Sequence, residues 1–182
     1  MTARARERAS AQNPIIKYYA MNRPCRSDDF LTTGFYSGYS PFAPGTMGAL
    51  VATLLWLVGS FFLGYVALWW TTLVAILAVT LVSIRPINRV EQYWGHDPKR
   101  VVIDEVVGVW ICLLGVPDTG HASTRFWVYV VMAFALFRLL DIFKPLGIRR
   151  AEALPGGWGV MMDDILAGIY GLVLMMACRW VY

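Results

Sequence analysis

From Met47 to Ile84 the chain runs for 38 residues without a single Asp, Glu, Lys, Arg or His. One membrane-spanning helix needs about 20 apolar residues, so the run is too long for one crossing and suits two. A soluble chain of 182 residues has too little interior to hide such a stretch. Composition agrees, since only 15% of the residues are charged, against roughly 25% in a soluble domain.

Within and beyond that run the apolar segments fall at about 47–64, 66–84, 103–116, 126–143 and 165–181. The expected fold is all-α: a polytopic membrane helix bundle of about four to five apolar helices with polar motifs at their cytoplasmic ends. A polar N-terminal arm, 1–29, precedes a single membrane-embedded domain, 30–182. The arm lacks the apolar centre of a signal peptide. Cys25, Cys112 and Cys178 are scattered and form neither a zinc spacing nor a disulfide framework. No basic stripe is interleaved with aromatics, which argues against nucleic acid as a partner. Nothing in the pattern fixes an oligomeric state.

Gly64 marks a turn between the first two segments, and Pro117-Asp118-Thr119-Gly120 marks a loop between the third and fourth. Both hairpins then open to one side, because 85–102 contains no apolar span. That side collects Arg85, Arg89, Lys99, Arg100, Lys144, Arg149 and Arg150, whereas the other has little beyond Arg125 and Arg179. Basic residues concentrate on the cytoplasmic side of membrane proteins, so the rich face is expected to be cytoplasmic.

Four polar motifs converge on that face. In the first, 34–48, glycines, prolines and hydroxyl residues run into a helix start. Its amides near Gly45 and Thr46 suit an anion, or Thr46 serves simply as the N-cap. The second pairs His96-Asp97 with Asp104-Glu105 at the head of an apolar helix. The third, Arg138-Leu139-Leu140-Asp141 followed by Lys144, puts its charges on one helix face. It reads either as an internal ion pair or as a metal ligand beside phosphate contacts. The fourth is a Gly-rich loop leading into a helix whose first turn is expected to hold Asp163 and Asp164.

Asp104, Glu105, Asp141, Asp163 and Asp164 are thus expected at one depth. Carboxylates sharing a small site cannot all stay ionised unless a positive charge intervenes. Hard oxygen donors select magnesium, calcium or manganese, and magnesium held by few carboxylates usually binds phosphate as well. Arg138, Lys144 and Arg149 add positive charge. An acidic metal site ringed by basic residues at a membrane surface suits a phosphorylated lipid.

These motifs, in this order and spacing, resemble the bacterial phosphatidylglycerophosphatase A family. The matching strings are Pro44-Gly45-Thr46-Met47-Gly48, His96-Asp97 with Asp104-Glu105-Val106-Val107-Gly108, Phe137-Arg138 with Asp141 and Lys144-Pro145, and 157–164 with Ala167-Gly168. They cover the chain from about Gly34 to Gly171. The resemblance implies a Mg2+-dependent enzyme of the bacterial inner membrane, and the basic residues of the rich face turn its active site to the cytoplasm. Its reaction removes the terminal phosphate of phosphatidylglycerophosphate, giving phosphatidylglycerol and inorganic phosphate.

On that reading the acyl chains lie against the apolar helices among the membrane lipids. Asp104, Glu105, Asp141, Asp163 and Asp164 hold Mg2+, and Gly45, Thr46, Arg138, Lys144 and Arg149 contact the phosphate. Water attacks phosphorus, or an aspartate does so first. His96 is either a general acid or a loop residue capping a turn. Two alternatives remain: a metal-dependent phospholipid headgroup transferase, which also gathers aspartates at a membrane face, and a small membrane transporter. A transporter would hold its charges nearer the midplane.

Overall fold

The computed structural model describes residues 24–95, 98–145 and 147–181. Most of the expected N-terminal arm and the pair His96-Asp97 lie outside the described residues.

The described residues form seven α-helices and one 3-10 turn, with no strand among them. They are α1 (Arg26–Thr32), the 3-10 turn (Ser37–Tyr39), α2 (Pro44–Phe62), α3 (Tyr65–Trp94), α4 (Ile103–Leu113), α5 (Thr124–Phe143), α6 (Ile148–Glu152) and α7 (Gly157–Val181). Helices α2, α3, α5 and α7 are long and apolar enough to cross a membrane. Their outward faces carry exposed Leu54, Val58 and Phe62 on α2, Trp70, Val74, Leu77 and Leu81 on α3, and Val131, Leu139 and Ile142 on α5. An apolar surface this extensive belongs against lipid, and the chain is a membrane protein.

The third apolar segment behaves differently. Helix α4 has only 11 residues, about 16 Å at 1.5 Å per residue and well short of a bilayer core. Nine of its residues are buried. A helix that is apolar all round goes to the centre, and α4 packs against α7 first and then α2, α5 and α3.

Helix ends fix the topology. Gly48 of α2 abuts Val102 at the head of α4, and Gly157 of α7 abuts the Ile84 carbonyl of α3. At the opposite end Ser60 meets His121 of the α4–α5 loop at 2.9 Å, and the His121 ring stacks on Phe61. Both hairpins therefore open to the same side.

Three boundaries depart from the sequence expectation. Helix α2 starts at Pro44, with Ala43 as its N-cap in a left-handed conformation. Proline is preorganised for the first helical position, so Thr46 is the third residue of the helix and not its cap. Helix α3 runs on through Pro86 to Trp94. Its polar extension is held from outside, because Arg89 donates two hydrogen bonds, of 2.6 and 2.7 Å, to the buried carboxylate of Asp28 on α1. Helix α7 begins at Gly157, so Asp163 and Asp164 lie almost two turns inside it, with no acidic residue in its first turn.

Candidate active site

Asp104 and Glu105 occupy the first turn of α4. Because α4 is enclosed, they cannot turn to bulk water, and they face the heads of α2 and α7. Asp164 of α7 meets them there. One carboxylate oxygen from each of Asp104, Glu105 and Asp164 lies within 4.8 Å of the other two. Asp164 is only 3% exposed and Asp104 only 8%. Asp141, in the last turn of α5, is close enough to Asp164 for a side-chain hydrogen bond.

The cluster forms the floor of a cavity of about 280 Å3. Gly45, Asp104, Glu105, Arg138, Asp141, Lys144, Asp163 and Asp164 all line it, together with Ala43, Pro44, Pro98, Lys99 and Val101. Glycine at position 45 is required by close approach, since a Cβ there would collide with Glu105 Oε1. Ala43 (φ 42°) and Lys144 (φ 44°) both adopt the left-handed conformation. Such backbone outliers away from glycine are uncommon and gather at functional sites.

Two ion pairs orient the cations of the rim. Arg138 donates to Asp141 Oδ2 at 2.6 Å and stands 4.0 Å from Glu105 Oε1. Its Nε is buried with no hydrogen-bond partner among the described residues, as is Glu105 Oε2. Lys144 donates to Asp163 Oδ2 at 2.7 Å and lies 3.3 Å from Glu152. An ammonium has three donors, so one is left to point into the cavity. Partial burial works against the Lys144 charge, but the Asp163 bond and Glu152 outweigh it and push its pKa above the ordinary lysine range. The third motif thus forms its ion pair and lines the cavity at once.

Thr46 and Arg149, both expected as phosphate contacts, do not line the cavity. Each helical residue turns about 100° from the last, which carries Thr46 away from the wall that Gly45 forms. Arg149 is exposed on α6, whose buried face is Ile148 and Ala151. His96 lies outside the described residues.

The donor set fits a hard divalent cation: three crowded carboxylates from two helices, two buried and one half-buried, with Glu105 Oε2 lacking a hydrogen-bond donor among the described residues.

The sequence profile of phosphatidylglycerophosphatase A matches residues 30–179. The chain belongs to the phosphatidylglycerophosphatase A family. Two relatives carry that name, one from Haemophilus influenzae, 36% identical over 92% of this chain and 96% of its own length. The other, from Escherichia coli K12, is 35% identical over 82% of this chain and 83% of its own length. A Bacteroides thetaiotaomicron protein is 52% identical over 88% of this chain and 99% of its own length, and is provisionally named a phosphatidylinositol-3-phosphatase. No solved structure matches the chain. Membership in the phosphatidylglycerophosphatase A family makes this chain a lipid phosphatase.

Sequence reasoning missed three contributors. Lys99 forms part of the wall, and Glu152 holds Lys144. Asn88, on the polar extension of α3, accepts the Gly157 N–H through Oδ1 at 2.6 Å. It thereby caps α7 from a neighbouring helix and fixes where that helix begins. No spacing signal links residues 69 positions apart. Asn88→Ala is expected to cost about 1 kcal/mol, as for loss of an N-cap. Turnover should fall through displacement of Asp163 and Asp164. Thermal unfolding in detergent and phosphate release measure the two effects, and a variant unchanged in both would remove Asn88 from this role.

Proposed function

We propose that the chain hydrolyses phosphatidylglycerophosphate to phosphatidylglycerol and inorganic phosphate with Mg2+, working from the cytoplasmic face of a bacterial inner membrane as a step in phospholipid biosynthesis. The observation that carries the reading is the meeting of Asp104, Glu105 and Asp164 within 4.8 Å, beneath Arg138 and Lys144.

Asp104, Glu105 and Asp164 would hold the cation. When bound, it neutralises the cluster and supplies Lewis acidity toward the phosphate and the attacking water. Arg138 and Lys144 bind the phosphate oxygens, Lys144 through its spare donor, and the Gly45 backbone allows the phosphate a close approach. Asp141, oriented by its bond from Arg138, stands beside the cluster and takes the proton from water. The new bond joins the water oxygen to phosphorus, and the bond from phosphorus to the glycerol oxygen breaks. That oxygen leaves as an alkoxide and takes up the proton that Asp141 removed from the water. The exposed apolar faces of α2 and α5 hold the acyl chains in the hydrocarbon core, which leaves the headgroup at the depth of the site.

The Bacteroides relative favours a second substrate, phosphatidylinositol 3-phosphate, by its name. Phosphate release from reconstituted protein separates the two. We expect phosphatidylglycerophosphate to turn over at least about tenfold faster, a difference worth about 1.4 kcal/mol in the transition state. A chelator should stop the reaction and Mg2+ restore it. Full activity in chelator would sink the cation reading, and equal rates on both lipids would sink the substrate assignment.

A further inference from the structure

A second cavity, of about 640 Å3, opens between α1, the 3-10 turn and the end of α3. Arg26, Asp29, Tyr36, Tyr39, Trp94 and Arg100 line it, and none of these lines the first cavity. The two share a wall, the segment 98–101. Lys99 and Val101 face the cation site, whereas Arg100 between them faces the second cavity.

The chemistry of the lining is specific. The Arg100 guanidinium sits 5.2 Å from the centre of the Tyr39 ring and 5.9 Å from that of Trp94. Tyr39 Oη donates to Asp29 Oδ1 at 2.9 Å, which aims that carboxylate. Among the described residues neither Arg26 nor Arg100 is ion-paired. Two guanidiniums lining one cavity recognise a phosphate. A fixed carboxylate with an oxygen to spare accepts hydroxyls. Aromatic faces take the C–H side of a polyol and place the site at headgroup depth. The volume suits a small organic ligand.

We infer that this cavity binds the phosphorylated polyol headgroup of a membrane lipid, held beside the catalytic cavity and not hydrolysed there.

The test uses full-length protein in neutral detergent with chelator present, and native mass spectrometry as the readout. The probe is dioctanoyl phosphatidylinositol, whose phosphate is a diester, with dioctanoyl phosphatidylcholine and inorganic phosphate as comparisons. Wild type and Asp164→Asn should each bind one phosphatidylinositol saturably and ignore phosphatidylcholine. Arg26→Gln and Arg100→Gln alter exposed side chains and should keep their helical circular dichroism. Each should weaken binding about tenfold or more, as for loss of a charge-assisted contact. Unchanged affinity in Arg100→Gln overturns the inference. Loss of binding in Asp164→Asn would place the lipid in the catalytic cavity and overturn it too. Displacement by equimolar inorganic phosphate would reduce the cavity to a free-anion site and would likewise overturn the lipid assignment.

Discussion

Asp164→Asn is expected to lower phosphate release by about a thousandfold or more, the equivalent of roughly 4 kcal/mol of transition-state stabilisation. The reason is geometric. Asp164 is the one member of the three-carboxylate cluster supplied by α7, and the other two come from adjacent positions on α4. An amide keeps the shape and removes the charge, so the cluster loses its grip on a cation while the helices still pack.

A second measurement separates this loss from misfolding. A ligand that binds only the folded state stabilises it by about 2.7 kcal/mol at a hundred times its dissociation constant. Mg2+ should therefore raise the melting temperature of the wild type and leave that of Asp164→Asn unmoved. In chelator the variant should melt no lower than the wild type, because one of several crowded carboxylates has been neutralised. Near-normal turnover in the variant, or an undiminished Mg2+ shift, would show that the cation is held elsewhere.

Gly168→Val is expected to have the largest effect of any substitution outside the carboxylates. Helices α4 and α7 touch backbone to backbone here: a Cβ at Gly168 would lie 2.6 Å from the Gly108 carbonyl oxygen. A Cβ at Gly108 would in turn strike the Phe137 ring and lie 2.9 Å from the Asp164 carbonyl. Small residues at helix contacts let membrane helices approach closely. Gly108 is one turn below Asp104 and Gly168 one turn below Asp164, so the contact that joins the helices also brings the carboxylates together. Valine must prise α4 from α7, at an overpacking cost of about 1–3 kcal/mol. The accompanying displacement of the site, even by about 1 Å, costs about a hundredfold in rate. Turnover and melting temperature should fall together in Gly168→Val and less in Gly168→Ala. A valine variant with wild-type activity would mean that the helices do not set the site.

Charge and apolar pattern made the helices and the acidic positions legible. Asp104, Glu105, Asp141, Asp163 and Asp164 could be named as neighbours from the hairpin topology alone, because two apolar hairpins that open to one side must bring their polar ends together. The division of labour among them was not legible. Asp163 is drawn off to Lys144, and Asp141 is tied to Arg138. The position of Asp163 and Asp164 within α7 was misjudged because the Gly-rich stretch before them reads as loop. In the fold that stretch is helix, capped by Asn88 from 69 residues away. Thr46 and Arg149 carried the right chemistry but sit on helix faces that turn elsewhere.

The sequence by itself determined that this chain is a bundle of membrane helices with its carboxylates and cations at one end, since a 38-residue uncharged run admits no other solvent than lipid. The tertiary structure decided which oxygens meet. Distances of a few ångströms between residues 104 and 164 depend on how closely two helices approach, and the paired glycines at 108 and 168 set that approach.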